Sequence, residues 1–187
     1  MTQNQDSPSC AAPATTAGRP VRRIKRALTE EEALEIVGTT DHAVLSTADA
    51  AGVPYGVPVS PVYHNGKLYF HSLALAGGRK GDNIAMNPAV SVCFIRRDTT
   101  LPEHFSVDYE SAIVAGRAFR VEDPAEWHEA LVALCRRHCP NETAEAVEAE
   151  IRKYAKATGV WRIDIESVSG KSRAGSRAAP QSGHKEE

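Results

Sequence analysis

The sequence lacks the features that identify membrane and secreted proteins. None of its apolar runs approaches the roughly 20 residues of a membrane-spanning helix, and its N-terminus has no apolar core of a signal peptide. It also lacks a charge excess, because 22 basic and 24 acidic residues leave a net charge of −2. A balanced chain has no overall electrostatic drive toward nucleic acid or a membrane surface. We therefore expect a cytoplasmic protein that binds neither.

Common nucleotide and nucleophile motifs are also missing. No G-x-G-x-x-G follows an apolar strand and no G-K-[ST] loop is present, which argues against a Rossmann or P-loop site. The segment GVPVSPV does not match the G-x-S-x-G elbow of serine hydrolases. The sequence therefore argues against both of these nucleotide-binding folds and against a serine hydrolase.

The chain has four cysteines, two of which could share one helix face. Cys135 and Cys139 flank His138 in CRRHC, so a metal site is conceivable. No second ligand pair of the kind used by zinc modules appears, however, and we expect no metal. Cys93 lies inside the apolar run AVSVCFI and is expected to be a buried small hydrophobe.

The 187 residues are enough for one domain with tails. Residues 1–26 are rich in Ala, Thr, Ser, Pro and Gly and end in a cluster of basic residues, which is typical of a disordered, solvated arm. Residues 171–187 are similarly polar and poor in core residues. The folded domain is therefore expected to span residues 27–170, between a basic N-terminal arm and a disordered C-terminal tail.

Six apolar runs have the length and boundaries of β-strands: 42–47, 55–63, 67–71, 89–95, 109–123 and 160–170. Asn65-Gly66 predicts a hairpin between the second and third strands, because both residues tolerate positive φ. Pro58 and Pro61 predict that the second strand is irregular or paired on one side only. Gly116 is a candidate bulge in the fifth strand. These strands predict a mainly β fold, a small antiparallel β-barrel decorated by helices.

Cap signals predict the helices. Thr29 and Glu32 form a capping box, and Asp123 is a cap before Pro124. A third helix is expected to end at Gly159. A short helix should start near Gly81 to Asp82, with Asp82 as a possible cap, and end at Asn87-Pro88. Three residues are expected to be core rather than cofactor contacts: Trp127, Leu131 and Leu134.

The segment LYFHSLALAGGRKGDNIAMNP, residues 68–88, has the residue types of an anion site. Arg79 offers a fork of charge-assisted hydrogen bonds to a phosphate, and Lys80 adds a compact charge. The glycines before them permit close backbone approach. The N–H groups of the following helix would point at the same spot. Phosphate binding and an ordinary solvated loop are equally compatible with these residues alone.

The order of three segments resembles the FMN-binding split-barrel family related to pyridoxamine 5′-phosphate oxidase, and within it the nitroimidazole-resistance (Nim-type) branch. The segments are GVPYGVPVSPVYHNGKLYFHSLALAGGRKGDNIAMNPAVSVCF, YESAIVAGRAFRVED and VWRIDIESVSGK, and the resemblance covers about residues 26–173. It implies a six-stranded antiparallel split β-barrel that forms a homodimer, with two FMN sites at the subunit interface.

The resemblance also implies cofactor-binding residues. Arg79 and Lys80 would grip the FMN phosphate, and the fifth strand would reach FMN from Ser111. The remaining candidates belong to three strands, the last pair reaching FMN from the partner subunit. They are Val59, Ser60, Pro61 and Val62 along the isoalloxazine ring, Phe70, His71 and Ser72 on the phosphate and ribityl side, and Trp161 and Arg162.

By this resemblance the chain is an FMN-dependent oxidoreductase. It would take electrons from a reduced nicotinamide or another small donor and pass them to a small acceptor such as a nitroaromatic or a quinone. His71 would either donate a proton or only orient the cofactor. The alternatives are a non-catalytic flavin- or haem-binding protein and a deazaflavin (F420)-dependent reductase. The Arg-rich C-terminal ending of pyridoxamine 5′-phosphate oxidase itself is not found, so vitamin B6 oxidation is not expected.

Overall fold

The computed structural model describes residues 22–73 and 78–173. The expectations about residues 1–21 and 174–187 lie outside the described residues. A short 3₁₀ turn, Ile24–Arg26, leads into the first strand. No helix in the described ranges is long and apolar enough to span a membrane.

The described residues form eight strands rather than the expected six. In chain order they are β1 Ala27–Leu28, β2 Ala43–Ala48, β3 Pro54–Val59, β4 Val62–His64, β5 Lys67–Leu73, β6 Ala89–Leu101, β7 Ser106–Arg120 and β8 Thr158–Ser172. One extra strand is the short β1. The other arises because the run 55–63 is divided at Ser60-Pro61, where Pro61 has no N–H to continue a ladder.

The four helices are α1 Glu30–Thr39, α2 Gly78–Met86, α3 Pro124–His138 and α4 Ala144–Tyr154. The predicted capping box is present, with the backbone N–H of Glu32 donating to Oγ1 of Thr29 at 3.2 Å. Asp123 caps α3 through the N–H of Glu126 at 2.8 Å, as expected. The expectation that Gly159 ends α4 is wrong: α4 stops at Tyr154, and Gly159 pairs with Ser72 inside β8.

All the strands join in one antiparallel sheet of order β3-β2-β6-β7-β8-β5-β4, with β1 paired to β8. Residues of the strands next to the two ends of this order, Leu45 on β2 and Leu68 on β5, pack in the same buried cluster. The sheet therefore curls around a common interior. Helix α1 closes this interior with Ala33, Ile36 and Val37. We call this cluster the barrel core.

Two local sequence signals act as predicted. Asn65 and Gly66 both have positive φ, of 49° and 76°, and turn the β4–β5 hairpin. The β7–β8 register shifts between Ala115 and Gly116. At Gly116 a Cβ atom would overlap the carbonyl oxygen of Asp164, so this bend requires a residue without a side chain.

A second cluster lies on the outer side of β5, β4 and β8. Helices α3 and α4 supply Leu131, Leu134 and Ile151, which pack against Val62 and Tyr69. We call this the helical cluster. Leu131 and Leu134 are core residues, as predicted, and Trp127 packs against them in part.

Cys93 departs from expectation. It is half-buried on the outer face of the sheet, opposite Val44 and Ile113. The alternation of β6 places Val92 and Phe94 in the barrel core, so Cys93 must point the other way.

Candidate functional site

The two adjacent cations lie at the start of α2. Helix α2 begins at Gly78 rather than near Gly81 to Asp82, so Arg79 and Lys80 occupy its first turn and Asp82 is inside the helix, not at its cap. The first N–H groups of a helix have no intrahelical partner. Together with the helix dipole, they favour an anion at this end.

Arg79 and Lys80 point to different surroundings. The guanidinium carbon of Arg79 lies 4.8 Å from the centre of the Tyr55 ring on β3. The ammonium of Lys80 lies 5.9 Å from the centre of the Phe70 ring on β5. Lys80 therefore stands over the barrel wall, while Arg79 is held at the rim by a strand on the sheet edge.

Lys80 lines a cavity of about 250 Å³ that we call the small cavity. Its other lining residues come from the ends of β3 and β5 and from the residue before β2. They are His42, Pro58, Val59, Ser60 and His71. Four of the candidate residues named from the sequence are thus together: Val59, Ser60, His71 and Lys80.

His42 is a lining residue that sequence reasoning missed. Its Nδ1 lies 3.1 Å from Oγ of Ser60. The register of the β2–β3 hairpin pairs Ala43 with Val59. Extending it by one pair places His42 opposite Ser60, so correct pairing of this hairpin would have identified the contact.

Phe70, Ser72 and Trp161 form a packed group behind the small cavity. The rings of Phe70 and Trp161 stack with centroids 6.3 Å apart and planes 9° from parallel. The indole N–H of Trp161 donates to Oγ of Ser72 at 2.9 Å. Both aromatic rings belong to the barrel core. In this chain the group supports the wall over which Lys80 stands.

His71 stands between the small cavity and a larger one. It follows Tyr69 by two residues on β5, so it points to the outer side of the strand, toward α3. Partial burial lowers the pKa of His71, and electrostatic interactions with His138 and Lys80 lower it further. His71 is therefore neutral at physiological pH.

Pro61 and Val62 are joined to the helices. The backbone carbonyl of Pro61 accepts a hydrogen bond from Nε2 of His138 at 3.3 Å, and Val62 is buried in the helical cluster. His138 is thus a second residue that sequence reasoning missed. No local pattern relates it to a carbonyl 77 positions away.

The larger cavity, of about 890 Å³, lies between these strand ends and the two helices α3 and α4. We call it the large cavity. It shares His42, Ser60 and His71 with the small cavity. Its remaining walls are mostly from α3 and α4, including Leu131, Leu134 and Ile151. The two cavities therefore meet at three residues.

Two candidate residues lie elsewhere. Ser111 pairs with Ile95 and Lys171 in the middle of the sheet and faces outward, since its neighbour Ala112 is in the barrel core. Arg162 is held by an ion pair to Glu126 at 3.2 Å and another to Asp164 at 2.9 Å. Neither lines the two cavities, and the prediction that they contact a cofactor stays untested.

Cys135 and Cys139 are free thiols on the wall of the large cavity. Burial raises the pKa of the Cys135 thiol, and the neighbouring Cys139 and Glu150 raise it further. Cys135 is therefore a protonated thiol at neutral pH. Within residues 22–73 and 78–173, no group of three His, Cys, Asp or Glu residues is arranged to hold a metal ion.

Comparison with protein families gives one match. Residues 29–172, well over half of the chain, match the family model described as pyridoxamine 5′-phosphate oxidase. No relative was found among proteins with curated functions.

Several solved structures share the fold. A candidate 5-nitroimidazole antibiotic resistance protein from Bacteroides thetaiotaomicron is 24% identical with a TM-score of 0.62, over 78% of this chain and 85% of that one. A conserved hypothetical protein from Mycobacterium tuberculosis is 20% identical with a TM-score of 0.67, over 80% and 88%. A FAD- and heme-binding protein from Mycobacterium smegmatis is 20% identical with a TM-score of 0.61, over 80% and 74%. At these identities the similarity shows a common split-barrel fold.

Proposed function

This chain belongs to the split-barrel family related to pyridoxamine 5′-phosphate oxidase, and we propose that it is an FMN-dependent oxidoreductase that reduces a small nitroaromatic or quinone. The observation that carries this proposal is the small cavity. This cavity brings together Lys80 at the start of α2, the end of the edge strand β3 and the neutral His71. A flavin mononucleotide needs a phosphate grip and a polar edge for its ring, and these residues would supply both.

The phosphate grip consists of the first turn of α2. Lys80 supplies a point charge, Arg79 supplies a guanidinium fork, and the first N–H groups of the helix add donors. The side chain of Arg79 stacks on Tyr55, which holds it near the helix start. These groups fit a phosphate monoester.

The ring edge is the end of β3. This strand pairs only with β2 in the described sheet, so its other edge has backbone groups free for a ligand. Pro58 lies in this strand, and Pro61 follows its end. Both lack an N–H, which discourages a further strand from pairing there. We assign Val59 and Ser60 to contact with the isoalloxazine ring. Pro61 and Val62 contact α3 instead and would hold this end of the strand in position.

The flavin would supply the electron transfer, and the protein would bind, orient and shield it. His71 is best suited to orientation. Its lowered pKa leaves it neutral, so at physiological pH it offers one N–H donor and one acceptor rather than an acidic proton. A proton-donating His71 would need a pKa nearer to neutrality.

A second candidate function is a carrier of flavin or haem without turnover. The large cavity with its three histidines, His42, His71 and His138, favours this reading, because neutral imidazoles are iron ligands. One structural neighbour is described as binding FAD and heme. A deazaflavin in place of FMN is the remaining alternative. The absorption spectrum of the purified protein and the mass of the released cofactor separate all three.

We propose that the protein acts as a homodimer. The outer face of the sheet exposes Val44, Ile95 and Ile113 by 42%, 57% and 38%. Ser46, Ser91 and Ser111 lie beside them on the same face, so the face carries apolar and small uncharged residues. Light scattering during gel filtration, with absorption recorded at the flavin band, measures the molecular mass and the flavin content of the same species. A dimer with one FMN per chain is expected, and a flavin-loaded monomer would exclude the dimer.

The test of the phosphate grip is the double substitution Arg79→Ala with Lys80→Ala. Each lost charge-assisted hydrogen bond costs about 1.5–3 kcal/mol, so FMN affinity should fall by about two to four orders of magnitude. The dissociation constant is measured by fluorescence titration of flavin-stripped protein with FMN.

The matched control is Arg152→Ala with Lys153→Ala. This is also an adjacent Arg-Lys pair, but it lies in the last turn of α4, where the helix dipole is negative. It should leave FMN affinity unchanged. Equal affinities of the two double variants would overturn the assignment of Arg79 and Lys80.

A further inference from the structure

The large cavity lies where a second ligand would meet one held in the small cavity. The two spaces share His42, Ser60 and His71. A molecule in the large cavity therefore touches the same strand ends as a molecule held by Lys80. The volume of about 890 Å³ is within the range of small-molecule sites, roughly 300–1,000 Å³.

The helical walls of this cavity are apolar. Leu131 and Leu134 of α3 and Ile151 of α4 line it, and all three belong to the helical cluster. Tyr154 adds an aromatic ring at the end of α4. Such walls favour a ligand that buries a flat hydrocarbon surface.

The formal charges around the cavity are compensated. Among the described residues, the Asp, Glu, Lys and Arg side chains that line it are Asp41, Arg137 and Glu150. Arg137 Nη2 lies 2.8 Å from Oδ1 of Asp41, and Glu150 lies 3.6 Å from Nζ of Lys153. An anionic substrate would find no ammonium among the described lining residues, and the one guanidinium already faces a carboxylate, in contrast to the small cavity with Lys80.

Three imidazoles are among the polar groups that line the cavity, together with the hydroxyl groups of Ser60, Tyr154 and Thr158. Nε2 of His138 donates to the carbonyl of Pro61, so Nδ1 is the ring nitrogen that is left for a ligand. His71 is neutral and offers a ring N–H or a lone pair. These groups suit an uncharged molecule with a few oxygen or nitrogen atoms.

We propose that the large cavity is the acceptor site and that it takes an uncharged planar aromatic compound, in preference to a phosphorylated or carboxylated one. The proposal rests on the proposed function for the identity of the neighbouring cofactor. The helices α3 and α4 are then the elements that determine acceptor specificity.

The test uses two probes of nearly the same shape, neutral 4-nitrobenzamide and anionic 4-nitrobenzoate. Their binding to the oxidised protein is measured by isothermal titration calorimetry without an electron donor, so no turnover is involved. The amide should bind at least tenfold more tightly than the carboxylate. Equal affinities, or a preference for the carboxylate, would overturn the proposal.

Thr158→Trp is the variant that fills the cavity. Thr158 lines the large cavity and not the small one, and it begins β8, where an aromatic residue is well tolerated. Binding of 4-nitrobenzamide should fall at least tenfold while the flavin content stays unchanged. Ala149→Trp on the exposed face of α4 is the matched control and should bind the probe like the unmodified protein.

Asp41→Asn keeps the proposal testable if the larger substitution disturbs the fold. Asp41 is exposed, and its loss leaves Arg137 without its carboxylate partner. The affinity for 4-nitrobenzoate should then rise about fivefold, as expected for one surface ion pair of about 1 kcal/mol, while 4-nitrobenzamide is unaffected. An unchanged preference in this variant would contradict the role of charge compensation.

The outcomes also separate this proposal from the function on which it rests. If the protein carries flavin but Thr158→Trp binds 4-nitrobenzamide as tightly as the unmodified protein does, the acceptor site is wrong and the proposed function stands. If the protein carries no flavin but binds the two probes as predicted, the proposed function is wrong and the proposed ligand preference of the cavity stands.

Discussion

The two walls of the candidate site are built differently. The strand wall, formed by the ends of β3 and β5 and by α2, stands on the barrel core, where Leu68 and Phe70 are 0% and 1% exposed. The helical wall, formed by α3 and α4, stands on the smaller helical cluster beside a cavity of about 890 Å³. A densely packed wall holds a cofactor in a fixed position, whereas a wall beside open space tolerates substitutions without loss of the fold.

The largest difference between the walls should appear when one leucine of each is truncated. Leu68→Ala in the barrel core should cost about 4–5 kcal/mol of unfolding free energy, because a closed core collapses little around the lost atoms. Leu134→Ala should cost only about 2 kcal/mol, because Leu134 already borders the large cavity. Urea unfolding at one fixed FMN concentration measures both.

These two substitutions remove the same atoms, so each controls for the other. If Leu134→Ala costs as much as Leu68→Ala, the two walls are packed alike, and α3 and α4 are not a permissive wall.

A smaller effect is expected at the bend of β7, in the barrel on which the strand wall stands. Gly116→Ala should destabilise the protein by about 1–3 kcal/mol, because its new Cβ overlaps the backbone oxygen of Asp164. Gly38→Ala in α1 has no atom within 4 Å of the added Cβ and should stabilise by about 0.4–1 kcal/mol. Thermal unfolding of both variants measures the opposite signs, and a stabilising Gly116→Ala would show that β7 and β8 do not require this close approach.

Sequence reasoning predicted the barrel and its strand wall better than the helical wall. The Thr29–Glu32 box and the Asn65-Gly66 turn are encoded within four residues, and both are confirmed. The motif at Arg79 and Lys80 is also local, although its helix begins three residues earlier than expected, at Gly78. Short-range hydrogen bonding and backbone preference determine such features, so the sequence carries them directly.

The helical wall depends on contacts between distant segments. The helix α3 and its core face were predicted, but the contact of His138 with the carbonyl of Pro61 depends on how the helix docks against the strands. His42 was missed for a similar reason, since it reaches Ser60 only through the register of β2 and β3. Docking is determined by the whole set of packed side chains, which no single motif encodes.

The smallest effect concerns His71, which lies between the two walls. Partial burial lowers its pKa, followed by electrostatic interactions with His138 on the helical wall and Lys80 on the strand wall. His138→Gln and Lys80→Met should therefore each raise the pKa of His71, and His138→Gln should raise it more. NMR titration of the His71 ring signal measures the pKa in each variant.

The direction of the pH effect on stability follows. Because the pKa of His71 is lower in the folded protein than its usual value of about 6.5, the unfolded chain binds the proton more readily as pH falls below that value. The contribution of neutral His71 to stability is therefore present above pH ~6.5 and is lost as the pH falls through the folded-state pKa. Both substitutions should reduce this acid sensitivity. If only Lys80→Met raises the pKa, the strand wall alone affects the pKa of His71, and the helical wall has no electrostatic effect where the two cavities meet.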